Sequence, residues 1–570
     1  MKVIDFKDAK CRHCYKCVRH CMVKAIAIEN EQAHILTDHC INCGKCLEVC
    51  PQNAKTFASD MERVKGYLRQ GFKTVISIAP SYLGVLEFDR PGQVVDALLK
   101  LGFYEVRETA EGAALVTNEY KRLIRENKMK NIITTCCPSV NDLVEKYYPE
   151  CAPSLAPVVS PMIAHGRYIK KLYGNDVKVV FLGPCIAKKQ EAIGDSRVFG
   201  AIDAILTFEE LALWLEEARI DIHSCEEKQM GNPDPEVNRM YPISGGVIQS
   251  VVAEQESDTY QKVYVDGLAN CMEMLEALRK GELEDCFIEA NVCEGGCAKG
   301  PASARWNTSY VKAKIKIDRE VAHTFPKKLP DMSMQELEKK FGNREIKDVY
   351  PTEDEIRQIL KSTGKYSASD ELNCGACGYA TCREKAVAVF QGRAELSMCM
   401  PHALTQAESM SNVVMDVTPS IIFIIDSEMR IRECNKKGEE FLGVGKEEAL
   451  QRYIFEFIEV GDIEETLRTR QPVLHKKCQA DHGKMTLEET IVYIKNLDSV
   501  LVIYQDITKE EKMKEQHLKL RIETLEMAQK VIDKQMMVAQ EIAGLLGETT
   551  AETKVTLTKL RDSVLDEEEV

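Results

Sequence analysis

Residues 11–51, CRHCYKCVRHCMVKAIAIENEQAHILTDHCINCGKCLEVCP, contain eight cysteines in two arrays of identical spacing. Each array reads C-x2-C-x2-C-x3-C, formed first by Cys11, Cys14, Cys17 and Cys21 and then by Cys40, Cys43, Cys46 and Cys50. Doubled arrays of this spacing bind two [4Fe–4S] clusters, and the fourth cysteine of each array ligates the other cluster. The stretch therefore predicts a small electron-transfer domain over residues 1–57.

This doubled pattern resembles the two-cluster bacterial ferredoxins. Met22 stands where a proline usually follows the first array, whereas Pro51 follows the second. A pair of zinc knuckles is the alternative, but two identical four-cysteine arrays are hard to reconcile with tetrahedral zinc pairs.

Size and composition limit the remaining possibilities. A chain of 570 residues is too long for one core, so several domains are expected. The net charge of -15 argues against nucleic acid or anionic lipid as a main partner. The first residues lack an apolar signal region, and no apolar run approaches bilayer length. We expect a cytoplasmic protein with no membrane partner, whose 23 cysteines bind metal more than they form disulfides.

Residues 58–322 alternate strand-like apolar runs with helical stretches, which predicts an α/β domain. Examples of the runs are TVISIAPSY (74–82), KNIITTCCPS (130–139) and VKVVFLGPC (177–185). The last two deliver cysteines at the C-terminal end of a strand, where open parallel sheets present their ligand sites. This placement favours a binding site over core thiols.

Four segments of this domain resemble the signature loops of the [FeFe]-hydrogenases. They are TTCCPSV (134–140), LGPCIAKKQE (182–191), SGGVIQS (244–250) and IEANVCEGGCAKGPA (288–302). The resemblance covers roughly residues 1–320. It implies an H-cluster, in which a [4Fe–4S] cube is joined through a cysteine to a di-iron unit carrying CO, cyanide and a dithiolate. The implied substrates are H2 and protons.

The resemblance also assigns roles to individual residues. It implies four ligands to the cube, which are Cys137, Cys185, Cys293 and Cys297. Cys297 would bridge to the di-iron unit, and Lys188 would donate a hydrogen bond to a cyanide. Cys136 would pass protons beside the dithiolate, while Glu119 and Ser160 match members of the family's proton relay.

Several positions depart from the family pattern. Gly183 and Asn291 replace methionines, Val140 replaces a tryptophan, and the segment after the last cysteine is shortened. Residues around a metal site tune its potential and protonation. Arg122 occupies the position of a relay glutamate, and an arginine cannot pass protons at ordinary pH. The sequence therefore predicts a retained cluster with slow turnover.

A charged connector, residues 323–365, contains a predicted helix beginning at Pro351 and Thr352.

The connector leads to a compact unit, residues 366–404. Its cysteines follow the pattern C-x2-C-x4-C-x16-C at Cys374, Cys377, Cys382 and Cys399. This unit resembles the small [4Fe–4S] domain of corrinoid and carbonyl-metabolism proteins. Zinc is the alternative, and the spacing alone excludes neither. Three [4Fe–4S] clusters in addition to the H-cluster are thus expected.

Residues 411–508 resemble a PAS domain, with SIIFIIDSEMRIRECNKKGEEFLG at the start and VLVIYQDIT at the end. His475 and His482 are conceivable haem ligands, but solvated polar roles are favoured, and no PAS cofactor is assigned. The predicted fold is therefore multidomain, with α/β and α+β parts.

Residues 509–547 read as one output helix of the coiled-coil type. Apolar residues recur at 3-4 spacing, with Gln529 interrupting, at Leu518, Ile522, Leu525, Ile532, Met536, Ala539, Ala543 and Leu546. This apolar stripe predicts a homodimer in which the helices of two chains pack together. The alternative is that the stripe packs against the surface of the same chain. No kinase domain follows, so a kinase or phosphatase would act as a separate partner.

This domain order resembles the sensory [FeFe]-hydrogenases. It implies slow H2 turnover, with the redox signal passing through the clusters to the PAS domain. One alternative is a metabolic [FeFe]-hydrogenase that exchanges electrons with ferredoxin. The other is a non-catalytic, hydrogenase-like iron–sulfur protein, against which Lys188 and Cys136 argue because a plain cube needs neither.

Overall fold

The computed structural model describes residues 3–6, 10–232, 234, 236–252, 259–306, 309–326, 328–480, 484–543 and 555–561. The chain divides into two compact units, Met1–His402 and Ala403–Val570. Across the described ranges, no helix combines the length and the apolar character that a membrane crossing requires.

The N-terminal cysteine arrays lie in a small two-ribbon domain. Its elements are β1 (Ile4–Phe6), α1 (Lys16–His20), β2 (Ile26–Glu29), β3 (Gln32–Ile35), α2 (Lys45–Glu48) and β4 (Lys55–Phe57). Strands β1 and β4 pair antiparallel, as do β2 and β3. Gly44, before α2, has φ of 76°, and a Cβ there would lie 2.5 Å from Pro301 of the following domain. Glycine is needed for both reasons.

The α/β domain contains two parallel sheets, ordered β6-β5-β8-β9 and β10-β11-β7. The strands are β5 (Thr74–Ile78), β6 (Glu105–Glu108), β7 (Ile132–Ile133), β8 (Lys178–Gly183), β9 (Ala204–Thr207), β10 (Gln261–Asp266) and β11 (Cys286–Asn291). The helices are α3 (Met61–Arg69), α4 (Tyr82–Val85), α5 (Gly92–Lys100), α6 (Ala110–Glu126), α7 (Pro138–Tyr147), α8 (Pro161–Tyr173), α9 (Ala187–Gly194), α10 (Phe208–Ala218), α11 (Gly246–Val252), α12 (Leu268–Arg279) and α13 (Tyr310–Arg319). Three cysteine segments directly follow β7, β8 and β11.

The next segment packs against the N-terminal domain. It contains α14 (Met334–Leu337), α15 (Glu353–Lys361) and α16 (Cys382–Phe390), and Thr352 caps α15 as its sequence predicts. Arg19 and Lys24 donate side-chain hydrogen bonds to the carbonyls of Ala376 (3.3 Å) and Gly378 (3.0 Å). One apolar core cluster includes residues from the N-terminal domain, the α/β domain and this segment. The described residues up to His402 therefore form one compact unit.

Helix α17 (Met400–Val417) leads to a five-stranded antiparallel sheet in the order β13-β12-β16-β15-β14. The strands are β12 (Ile421–Asp426), β13 (Ile431–Cys434), β14 (Val473–Ala480), β15 (Met485–Ile494) and β16 (Ser499–Asp506), with α18 (Lys436–Leu442), α19 (Lys446–Ala449) and α20 (Gly461–Thr469) between them. Buried Asn435 accepts from the Ile422 and Gly438 amides and fixes the turn after β13. This arrangement matches the predicted PAS fold.

Two histidines of this domain are conceivable haem ligands by sequence. His475 has a side chain 74% exposed and lies 3.1 Å from Glu488, so it occupies a solvated position. His482 lies outside the described residues.

The last long helix, α21, spans Thr508–Ala543. Its first turn is attached to the sheet, because the Thr486 amide donates to Thr508 and Lys477 pairs with Glu511 at 3.1 Å. Beyond that turn, apolar side chains such as Leu518 and Ile522 are 43% and 48% exposed. Leu546, the last residue of the predicted seam, lies outside the described part of the chain.

Candidate metal centre

Four cysteines from the α/β domain gather where the three loops meet. They are Cys137 after β7, Cys185 after β8, and Cys293 and Cys297 after β11. Burial raises the pKa of Cys185 to about 11, and the neighbouring Cys137 thiolate opposes its ionisation further. Burial likewise raises the pKa of Cys293 and Cys297, again with contributions from the other cysteines. A positively charged metal core is what would allow thiolates to form together here, so this donor set fits an iron–sulfur cube.

Lys188 lies against the same cysteines. Its Nζ donates to the carbonyl of Cys136 (3.1 Å) and to Glu191 Oε2 (2.8 Å). Burial alone would lower the pKa of Lys188, but Glu191 and then Cys185 raise it. The ammonium is therefore charged and held at the edge of the cysteine group, as a donor to an anionic ligand must be.

Cys136 is the neighbouring thiol that the family resemblance assigns to proton transfer. Its Sγ lies 3.3 Å from the hydroxyl of Tyr120. Burial raises the pKa of Cys136 to about 12, so the sulfur keeps its proton at neutral pH. A thiol that keeps its proton can act as a proton donor.

The two predicted relay residues have different partners in the structure. Arg122 Nε donates to Glu119 Oε2 at 2.8 Å, and Arg122 also pairs with Glu126. Ser160, buried at the start of α8, donates instead to Glu191 Oε2 at 2.9 Å. Thus Glu119 is engaged by the arginine, while Ser160 joins the Lys188–Glu191 pair.

Glu289 is a candidate functional residue that the sequence interpretation missed. Its carboxylate accepts from the amides of Gly245 (2.9 Å) and Ile248 (3.0 Å), and from the Asn291 side chain (3.3 Å). Burial outweighs these hydrogen bonds and raises the pKa of Glu289 to about 7. Both partners lie in segments that carry the family resemblance, the Gly-Gly segment and the third cysteine loop, but their contact is tertiary and no local pattern reveals it.

Two departures from the hydrogenase pattern have packing explanations. A Cβ at Gly183 would lie 2.8 Å from the Phe181 ring and 3.1 Å from Ala79, so a larger side chain here would require the Phe181 ring to move. Asn291 supplies the hydrogen bond to Glu289 that a methionine could not.

The eight N-terminal cysteines form two sites. Each site contains three cysteines of one array and the fourth cysteine of the other array. A single cavity is lined by Cys11, Cys14, Cys17 and Cys50. Cys21 acts electrostatically on Cys43 and Cys46, and Cys40 on all three, which places these four together. The fourth cysteine of each array therefore lies with the other array, as the doubled spacing predicts for two clusters.

The last four patterned cysteines, Cys374, Cys377, Cys382 and Cys399, also line one cavity. Lys365 Nζ lies 3.3 Å from Cys399 Sγ. The Tyr15 hydroxyl lies within electrostatic range of both Cys11 and Cys377, so this site adjoins the N-terminal domain. Within the described ranges, no group of three or more His, Cys, Asp or Glu side chains is arranged to hold one metal ion. The two groups that line a cavity, one in the N-terminal domain and one at 374–399, surround a space, which suits a cluster better than a single ion.

Family models match four parts of the chain. Residues 72–301 match the model described as the iron only hydrogenase large subunit, C-terminal domain. The other matches are a 4Fe-4S dicluster domain at 3–51, an Fe-S cluster domain at 370–401 and a PAS fold at 409–507. The chain is an [FeFe]-hydrogenase-like iron–sulfur protein with a PAS domain.

Individual hydrogenases show the same similarity. Iron hydrogenase 1 of Clostridium pasteurianum is 27% identical over 363 residues, which cover 46% of this chain and 63% of that protein. The periplasmic [Fe] hydrogenase large subunit of Nitratidesulfovibrio vulgaris is 29% identical over 363 residues, covering 52% of this chain and 85% of its own length. A solved structure of [FeFe]-hydrogenase HydA1 from Chlamydomonas reinhardtii aligns at a TM-score of 0.41 and 16% identity, over 51% of this chain and 100% of that one.

The number of cluster sites predicts a metal content. Anaerobic reconstitution without the di-iron unit should give about four cubes per chain, one for each four-cysteine group. Iron and acid-labile sulfide analysis measures this. Cys382→Ser should remove about one cube, whereas Cys478→Ser, at an unpatterned PAS thiol, should remove none. About two cubes with stoichiometric zinc would contradict the assignment.

The buried Glu289 carboxyl predicts a pH-dependent stability. Its folded-state pKa lies above its unfolded value, so its contribution is fully present below about pH 4.5 and is lost as pH rises through about 7. The loss amounts to about 3 kcal/mol. Between pH 5 and pH 8, the thermal midpoint of the cluster-loaded protein should fall more for wild type than for Glu289→Gln.

Glu145→Gln is the matched control for this measurement. Burial would raise the pKa of Glu145, but hydrogen bonds from Arg197 and Gly342 lower it below its usual value. That carboxylate is already ionised at pH 5 in both states, so its variant should keep the wild-type pH slope. If the thermal midpoint changes equally with pH for wild type and Glu289→Gln, ionisation of the Glu289 carboxyl does not destabilise the folded protein, and the prediction is wrong.

Proposed function

We propose that the protein is a sensory [FeFe]-hydrogenase, which binds H2 and slowly converts it to two protons and two electrons. The observation that carries this proposal is the surroundings of the four gathered cysteines. Lys188 and Cys136 lie beside them, which supports the roles that the family resemblance gives these two residues, while Arg122 engages Glu119. A site suited to an H-cluster would thus be served by a restricted proton relay.

Each residue around the centre has a distinct task. An H-cluster bound here would supply the site at which H2 is cleaved. Cys137, Cys185, Cys293 and Cys297 would hold it, with Cys297 at the bridge. Lys188 would hold a cyanide in place through its ammonium, whose remaining hydrogen bonds to Glu191 and to the Cys136 carbonyl fix its direction. Cys136 would hold a proton on its thiol beside the bound cluster and could donate it or take one up there.

The electrons would leave through the three other four-cysteine sites. The second N-terminal site, with Cys43, lines one cavity together with Cys293 of the hydrogenase domain, which supports a short step between them. The site at 374–399 adjoins the N-terminal domain on another side, through Tyr15. An electron could thus pass to an external partner such as ferredoxin, or to the third site as a redox signal.

The PAS domain and α21 would form the output. The chain joins the third cluster site directly to the PAS domain, because Cys399 immediately precedes α17. PAS domains with heptad helices serve signalling proteins, and this architecture favours a sensor over a metabolic enzyme. A kinase or phosphatase bound at α21 would receive the signal.

Infrared spectroscopy of the matured protein tests the proposal. Bands of CO and cyanide should appear, and H2 should shift them and reduce the other clusters. H2 turnover should be detectable but well below that of metabolic hydrogenases. Absence of the bands would favour a non-catalytic iron–sulfur protein, and turnover equal to that of metabolic enzymes would contradict the sensory role.

Replacement of Cys136 tests proton transfer at the centre. Cys136→Ala should lower the remaining H2 activity by 10-fold or more, because a methyl group cannot pass a proton, for which general acid–base groups typically contribute about 10²–10⁴-fold. Cys151→Ala is the control, since Cys151 is also buried but contacts the Leu275 carbonyl away from the centre. Equal activity in both variants would remove Cys136 from the mechanism.

The exposed stripe on α21 predicts a homodimer, since a lone amphipathic helix leaves apolar surface in water. Sedimentation should show a dimer for the full chain and weaker association after truncation at residue 510. Gln529→Leu should tighten the dimer, because it replaces a polar residue in the seam. Gln516→Leu, off the seam, should have no such effect. A monomer in every case would favour the folded-back helix.

A further inference from the structure

A polar cavity of about 290 Å³ lies beside the candidate metal centre, between α7 and α9. Its inner wall includes Asn141, Gln190 and Glu191, and the exposed residues Gly194 and Ser196 lie at its mouth. A single water needs about 10–15 Å³ of such space. The cavity can therefore hold a chain of several waters that reaches solvent.

Three buried oxygens of this wall have no hydrogen-bond partner within the protein: Asn141 Oδ1, Gln190 Oε1 and Glu191 Oε1. The orientation of Asn141 is fixed, because its Nδ2 donates to the carbonyl of Thr135 at 3.0 Å and so turns Oδ1 away from that loop. Unpaired buried acceptors cost free energy, and water is their ordinary partner. The three oxygens thus call for donors from within the cavity.

The charged groups of the wall are already paired with one another. Arg197 binds Asp195 and Glu145, Lys339 lies 2.9 Å from Asp195, and Arg344 lies 3.1 Å from Glu145. Little charge is left to attract an ionic ligand. This pairing favours water as the occupant.

Glu191 connects the cavity to the metal centre. Its Oε2 accepts from Ser160 Oγ at 2.9 Å and from Lys188 Nζ at 2.8 Å, while Oε1 accepts no hydrogen bond from the protein and lies 3.8 Å from Lys339 Nζ. The two oxygens of one carboxylate therefore face opposite sides. One belongs to the network around the cysteines, and the other belongs to the cavity.

We propose that Glu191 and the water in this cavity form the outer half of the proton route. Ser160 gives its hydroxyl proton to the Glu191 carboxylate at Oε2 as it takes up another from the interior. The neutral carboxyl group then rotates to present this proton to cavity water, which passes it to solvent, and Glu191 returns to the carboxylate that pairs with Lys188. Each side chain regains its starting charge after one proton has passed. This inference rests on the proposed hydrogenase function, and it explains how turnover continues although Arg122 engages Glu119.

Gln190→Leu is the main test, because it replaces one unpaired oxygen with apolar surface and leaves Lys188, Ser160 and the cysteines unchanged. We expect H2 turnover to fall at least 10-fold, with a larger solvent deuterium isotope effect and an unchanged infrared spectrum of CO and cyanide. Glu191→Gln should show the same isotope effect. Glu126→Gln, on the Arg122 side, should match wild type.

The outcomes separate the two proposals. If wild type lacks CO and cyanide bands, the hydrogenase function fails first. If the bands and turnover are present but Gln190→Leu keeps the wild-type rate and isotope effect, the route through this cavity is wrong. A crystal structure of the cluster-loaded protein supplies a second test: ordered waters should bond Asn141, Gln190 and Glu191, and a dry cavity would overturn the inference.

Discussion

The buried ion pair between Lys188 and Glu191 holds the centre of the hydrogenase domain together. Both side chains are nearly inaccessible, and their Nζ–Oε2 distance is 2.8 Å. Removing either charge would leave the other buried and unpaired, which is far more costly than losing a surface pair. The pair also joins separate parts of the chain, because Lys188 reaches the first cysteine loop through the Cys136 carbonyl and Glu191 reaches α8 through Ser160. The geometry of the cysteine loops, of the hydrogen-bond donor and of the cavity all depend on this one contact.

The packing of the third cysteine unit on the N-terminal domain is the second important constraint. Its contacts use backbone carbonyls of the cysteine-bearing turn, at Ala376 and Gly378, as acceptors for Arg19 and Lys24. A Cβ at Gly378 would lie 3.0 Å from Val18, so the two segments approach as closely as the backbone permits. Contacts of this kind fix the separation between neighbouring cluster sites. Electron transfer depends steeply on that separation, and a rigid interface is therefore suited to carry a redox signal.

Sequence spacing was sufficient to predict much of this architecture, for identifiable reasons. The doubled cysteine arrays, the strands before Cys137 and Cys185, and the helix capped by Thr352 are local patterns, and each appears in the structure where it is expected. Partners that lie far apart in the chain could not be predicted. Ser160 matched a relay position, but its acceptor Glu191 is 31 residues away. Glu289 receives its hydrogen bonds from amides 41 and 44 residues earlier, and no periodicity reveals such a contact.

Under the proposed sensory role, a restricted proton route has a physical use. An enzyme that must process much H2 benefits from fast proton release, whereas a sensor needs only to equilibrate its clusters with the H2 around it. Arg122 fixes Glu119 by a charge-assisted hydrogen bond that would have to break for each proton passed, which slows exchange through that side. Slow proton release keeps electrons and protons paired at the centre for longer. The redox state of the other clusters then reflects the H2 concentration over many encounters, and this time-averaged state is what a slower protein partner can respond to.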